Sequence, residues 1–120
     1  GVNLPPHATS AAALLTLVRN ALIYDDGDRL QLTMGARDSW WAHGGHVTRA
    51  PTRWGWVSFD FARRGNVASW NWTPVQVWTE LRLPPGARLD GAPPAPLLAL
   101  ASGRGVLAPP GSVTAEVRLR

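Results

Sequence analysis

Two alternating tryptophan pairs, Trp54-Gly55-Trp56 and Trp70-Asn71-Trp72, flank the clearest turn signal in the chain and constrain its fold more than any other feature. On extended backbone, residues two apart point to the same side of a sheet, so each pair presents both rings on one face. A wall of indoles is either the core of a β fold or a platform for flat ligands, of which sugars are one class. Register decides between the two.

The loop of this hairpin is expected at Arg63-Arg64-Gly65-Asn66, with Gly65 or Asn66 taking the positive φ that a tight turn needs. Pairing Ala62 with Val67 then sets Phe61 opposite Ala68, Phe59 opposite Trp70 and Val57 opposite Trp72, all apolar. The other face receives Trp54, Trp56, Ser58 and Asp60 against Ser69, Asn71 and Thr73. A slip of one residue would mix the two sets. Trp70 and Trp72 are therefore expected in the core, and Trp54 and Trp56 on the polar face.

Two readings of that polar face stay open. A loop, the N-terminal helix or a partner domain covers the rings, or they form a sugar-stacking platform with Arg53, Asp60 and Asn71 bonding hydroxyls at its rim. Trp78 belongs to the same question, because in Val75–Leu83 it alternates with Val77 and Thr79 and falls with Gln76, Glu80 and Arg82. Trp40-Trp41 is read as loop, with one ring plugging the end of the core and the other exposed.

The rest of the chain has the same β period. Residues 1–8 contain Pro5-Pro6 and read as a linker; 9–20 read as a short helix, capped by Thr9 or Ser10, with Ala11, Leu14, Leu15 and Val18 at helical spacing. From 21 to 120 the period is two. Strands are expected at Ala21–Asp26 and Arg29–Met34 around the turn Asp26-Gly27-Asp28. Others follow at His46–Arg49, Gly55–Phe61, Val67–Thr73, Val75–Leu83, Leu97–Ala101 and Ser112–Leu119, with 84–96 a Pro-rich surface loop. Short strands separated by frequent Gly and Pro clusters predict an all-β fold: an antiparallel β-sandwich of jelly-roll or Ig-like type, with about seven to eight strands and one short N-terminal helix.

Composition narrows the function classes. The 120 residues suit one domain with a single core. No apolar run approaches the ~20 residues that span a bilayer, so no membrane partner is expected. The N-terminal GVNLPPHATS is not expected to be a secretory signal. With Gly1 first and Met34 the only methionine, the chain is expected to be a processed product or a piece of something longer. Cysteine is absent, which removes disulfides and thiolate chemistry but leaves the compartment open. The net charge is +4 and every basic residue is arginine, yet the arginines are scattered from Arg19 to Arg120 with only Arg63-Arg64 adjacent. That pattern reads as a solvated basic surface rather than a phosphate-tracking patch, so no nucleic-acid partner is expected.

No constellation for chemistry stands out, and neither a metal nor a cofactor is expected. His43-Gly-Gly-His46 lacks a third ligand and reads as a turn. Asp25-Asp26-Gly27-Asp28 lacks the downstream bidentate carboxylate of a calcium loop and reads as a hairpin turn. Nothing sets two carboxyls at glycosidase spacing, and phosphate loops and nucleophile elbows are missing. The chain is expected not to be an enzyme.

From Leu14 to about Leu89 the chain resembles a known family. The run Leu17–Tyr24, followed by Asp26-Gly27-Asp28 and Leu30-Gln31-Leu32, resembles the segment where large bacterial glycoside hydrolases pass from a helical catalytic domain into a C-terminal β-sandwich. Arg49–Phe59 is similar to the "A-P-T-x-(aromatic)-G-x-(V/L)-S" strand of those accessory domains, here with a further tryptophan, Trp56, after the glycine. Leu81–Gly86 is similar to their late strand and turn. The resemblance implies a non-catalytic domain that buttresses a catalytic one, and some related modules bind glycans. The partners it implies are an oligosaccharide and a catalytic domain; the alternative is a structural module whose exposed tryptophans pack on a partner domain or on a second copy.

Overall fold

The computed structural model describes residues 22–120, and the expected linker and N-terminal helix lie outside them. Nine strands follow in order: β1 (Ile23–Asp26), β2 (Arg29–Leu32), β3 (Gly45–Thr52), β4 (Gly55–Arg64), β5 (Val67–Trp72), β6 (Trp78–Arg82), β7 (Leu98–Ala99), β8 (Gly105–Ala108) and β9 (Thr114–Arg118). One helix, α1 (Asp38–His43), lies between β2 and β3. The strands form a five-stranded sheet ordered β1-β2-β6-β8-β7 and a four-stranded sheet ordered β3-β4-β5-β9. The fold is the expected all-β sandwich, antiparallel except where β6 pairs with β2 in parallel. The additional strand is β8, four residues in a Gly- and Pro-rich stretch too short to display a period.

Alternation explains the two layers. Leu30, Leu32, Leu81, Val106 and Ala108 of the five-stranded sheet point inward and are buried. From the four-stranded sheet Val57, Phe59, Phe61, Trp70, Trp72 and Val117 meet them. The side chains between them on each strand, such as Gln31, Asp60, Asn71 and Glu116, lie on the outer faces.

The central hairpin differs in register from the expectation. Arg64 pairs with Val67, so the turn holds only Gly65 and Asn66, and Phe61 opposes Trp70 while Phe59 opposes Trp72. Gly65 at φ 59 supplies the positive φ at the first turn position that a two-residue II′ hairpin needs, and this twist matches the strands better than a four-residue loop. A shift of two leaves every side chain on its face, so both tryptophans still enter the core.

Trp40-Trp41 is helix rather than loop. Six residues cannot hold a helix by themselves. What holds α1 is Trp41, fully buried, edge-on to Phe61 at 4.8 Å and to Trp70 at 5.4 Å between ring centroids. Trp40, about 100° further round a helix, stays half-buried. Gly45 allows this corner to close, since a Cβ there would run into the Phe61 ring.

Thr33 ties the sheets together. It is buried at φ 61, an unusual backbone state for a β-branched residue. Its hydroxyl lies 2.7 Å from the Arg82 carbonyl and 2.6 Å from that of Leu32, and it accepts the Trp70 Nε1 proton at 3.2 Å.

Candidate functional site

The outer face of the four-stranded sheet carries five of the six candidate residues, counting the turn at its end. Trp56 is the most exposed large apolar side chain among the described residues, 58% accessible. It stands near the start of β4, and Ser58 and Asp60 follow it along the same face at period two. Asp60 pairs across the sheet with Asn71 of β5, whose Nδ2 donates to Asp60 Oδ1 at 3.1 Å, and with His46 of β3 on its other side. A shallow cleft of about 360 Å³ opens here, lined by His46, Ser58, Asp60, Asn71, Thr73 and Val113 among others.

Backbone irregularity orients the tryptophan end of this face. A bulge interrupts β3 between Val47 and Ala50, and Arg49 within it sits at φ 52. The Arg49 amide donates to Ser58 Oγ at 2.9 Å, and its guanidinium lies 5.3 Å from the centroid of the Trp56 ring. Thr73 extends the face, its hydroxyl accepting from the Ser58 amide at 2.9 Å. Sequence reasoning missed Arg49. The signal was present: the inward residues Val47 and Ala50 are three apart, a spacing that a strand reaches only through a bulge.

Trp54 and Arg53 are not on the strand face but form the turn between β3 and β4. Trp54 is half-buried against the core, with the Arg53 guanidinium 5.8 Å from its ring. Arg53 clamps this turn to the neighbouring one: its amide donates to Asp25 Oδ2 at 2.9 Å and its Nη1 to the Gly27 carbonyl at 2.8 Å. Of the two rings expected on the polar face only Trp56 lies on it, because Arg53 and Trp54 belong to the turn between the strands, where side chains no longer alternate.

Trp78 lies on the other side of the molecule. It opens β6 opposite Arg29, 39% exposed on the outer face of the five-stranded sheet. On that face Tyr24, Gln31, Glu80, Leu107 and Leu98 form one cross-strand row. Glu80 at its centre is buried, 2.9 Å from Arg29 Nη1 and 3.6 Å from Arg82 Nη2. The structure therefore brings Trp56, Asp60 and Asn71 onto one face, sets Arg53 and Trp54 at its end, and separates Trp78 from them.

His43 and His46 make separate local contacts, His43 Nδ1 with the Ser39 carbonyl at 3.0 Å and His46 Nε2 with Thr48 Oγ1 at 2.8 Å. Among the described residues no group of three or more His, Cys, Asp or Glu side chains gathers that could hold a metal ion. Asp26-Gly27-Asp28 closes the β1–β2 hairpin. Comparison with family models, curated proteins and solved structures gives no match.

Proposed function

We propose that this chain is a non-catalytic accessory domain, similar to those of carbohydrate-active enzymes, that binds a glycan on the outer face of β3, β4 and β5. The observation that carries this reading is Trp56, a large indole left in water on a face where Ser58, Asp60, Asn71 and Thr73 supply hydroxyl, carboxylate and amide groups. A pyranose presents C–H groups on one flat side and hydroxyls at its rim. Trp56 meets the first, while Asp60 and Asn71, roughly 13 Å further along the strand, meet hydroxyls of a following sugar unit of an oligosaccharide. The Arg49 guanidinium lies 5.3 Å from the centre of the Trp56 ring, and Arg53 and Trp54 hold the turn that presents it. One stacked ring buries roughly 100 Å², worth about 2–3 kcal/mol before ordering costs, so binding is of millimolar strength.

The test is an oligosaccharide panel followed by tryptophan fluorescence and NMR. A sugar that perturbs Trp56, with the effect abolished in Trp56→Ala and retained in Trp78→Ala, is the expected result. Equal binding by wild type and Trp56→Ala, or no binding across the panel, overturns it.

A second reading rests on the opposite face, where Tyr24, Trp78 and Leu98 are exposed around the Glu80 cluster. In this reading the domain is a structural module that packs this face on a partner domain or on a second copy. Sedimentation over a concentration series checks the second-copy form: self-association abolished by Tyr24→Ala/Trp78→Ala favours it, and a monomer throughout excludes it.

A further inference from the structure

Away from both tryptophan faces, a cleft of about 310 Å³ lies where β6 runs into the Pro84-Pro85-Gly86 turn. Three arginines line it, Arg82, Arg88 and Arg104, and among the described residues no aspartate or glutamate does. They come from three separate segments, so their meeting is a product of the fold. Arg82 ends β6. Arg88 follows the turn, and its carbonyl accepts from the Arg120 amide at 2.8 Å. Arg104 leads into β8, and its carbonyl accepts from the Leu83 amide at 2.9 Å. Arg88 Nη1 reaches over to Gly103, where a Cβ would stand 3.6 Å from it, so the Arg88 head lies beside the Arg104 segment.

These charges are not saturated by the protein. Among the described residues Arg88 and Arg104 form no ion pair, and Arg82 reaches only Glu80, at 3.6 Å. The Arg82 Nε proton is buried and finds no acceptor among the described residues. Guanidinium groups repel one another, and bringing the unpaired Arg88 and Arg104 to one concavity with Arg82, whose carboxylate partner Glu80 lies 3.6 Å away, favours whatever anion enters it. Planar N–H forks suit the oxygens of phosphate, sulfate or carboxylate and make short charge-assisted bonds with them. The cleft is at the lower end of the roughly 300–1,000 Å³ of small-molecule sites, which leaves room for a group bearing the anion.

We propose that this cleft is an oxyanion site, formed by Arg82, Arg88 and Arg104, for a phosphate-type group that is free or carried as a monoester. The site is independent of the glycan reading.

The experiment is an amide NMR titration of the full chain with inorganic phosphate and with glucose 6-phosphate, at fixed ionic strength and with glucose as the neutral control. It is carried out in the Trp56→Ala background, so that sugar stacking on the other face does not enter. Saturable shifts confined to Gly86, Ala87, Gly103 and Arg104 are expected for both anions and absent for glucose. Arg88→Ala/Arg104→Ala weakens them by about tenfold or more, whereas Arg63→Ala/Arg64→Ala, which removes the same charge elsewhere, changes affinity less than about twofold. Both arginine pairs are at the surface or half-buried, and an unchanged amide spectrum verifies the fold of each variant. Tighter binding of glucose 6-phosphate supports an ester ligand, and equal binding supports the free anion. Absence of saturable shifts with either anion, or equal loss in the two double variants, overturns the proposal.

Discussion

Trp70 and Trp72 share their spacing with Trp54 and Trp56, yet the two pairs end in opposite environments. Strand β5 is an interior strand with β4 on one side and β9 on the other, and the second sheet lies over its inner face. Both of its rings are therefore buried, Trp70 against Trp41. The Trp54 pair sits at the free end of the β3–β4 hairpin, beyond the last residue that β5 can pair. There the first ring falls in a turn and is half-buried, and the second projects from the outer face. Spacing decides which side of a strand a ring takes; burial depends on what lies over that side.

Four measurements can break or sharpen this contrast. The largest effect is expected at the junction of helix and sheet: Trp41→Ala and Trp70→Ala should each lower stability by about 3–5 kcal/mol in urea melts, since each opens a cavity that the sandwich cannot refill. A loss below about 1 kcal/mol at Trp70 would mean that the core is not built around it. Next comes Thr33→Val. It keeps the shape but removes the acceptor of the Trp70 indole proton, and a cost of about 1–3 kcal/mol is expected. If Thr33→Val is neutral, the bond between the sheets contributes nothing.

Trp54→Ala should be intermediate, about 1–2 kcal/mol, because the ring packs on the core from the turn and stacks with Arg53. Trp56→Ala should cost least, under about 1 kcal/mol, the scale of an exposed cation–π contact with Arg49. The ordering Trp70, Trp54, Trp56 is what thermal or urea denaturation of the three variants must reproduce. A Trp56→Ala variant as unstable as Trp54→Ala would show that the outer face is covered, and the sugar platform would fall with it.

Much of the sandwich was legible because period two is local stereochemistry. Leu30 and Leu32, Phe59 and Phe61, Trp70 and Trp72 announce their faces in any register, and Gly27 and Gly65 announce their turns. The hairpin register was not legible to within two residues, since a shift of two changes partners without changing faces. Helix α1 escaped notice because its six residues carry no complete amphipathic turn, and a single buried tryptophan supplies its reason to exist. Of the candidate site, the common face of Trp56, Asp60 and Asn71 followed from alternation, whereas the Arg49 bulge broke alternation and was overlooked.

What the chain alone determined, then, is which residues point together along each strand and where the strands can turn, since both follow from backbone geometry a few residues long. Only the tertiary structure decided that β6 would join β2 in parallel and carry Trp78 to the opposite face. It alone set Glu80 between Arg29 and Arg82, and drew Arg82, Arg88 and Arg104 around one cleft. The physical reason is that such neighbours are chosen by packing two sheets and closing the loops between them, and a local period carries no information about which distant segment completes the surface.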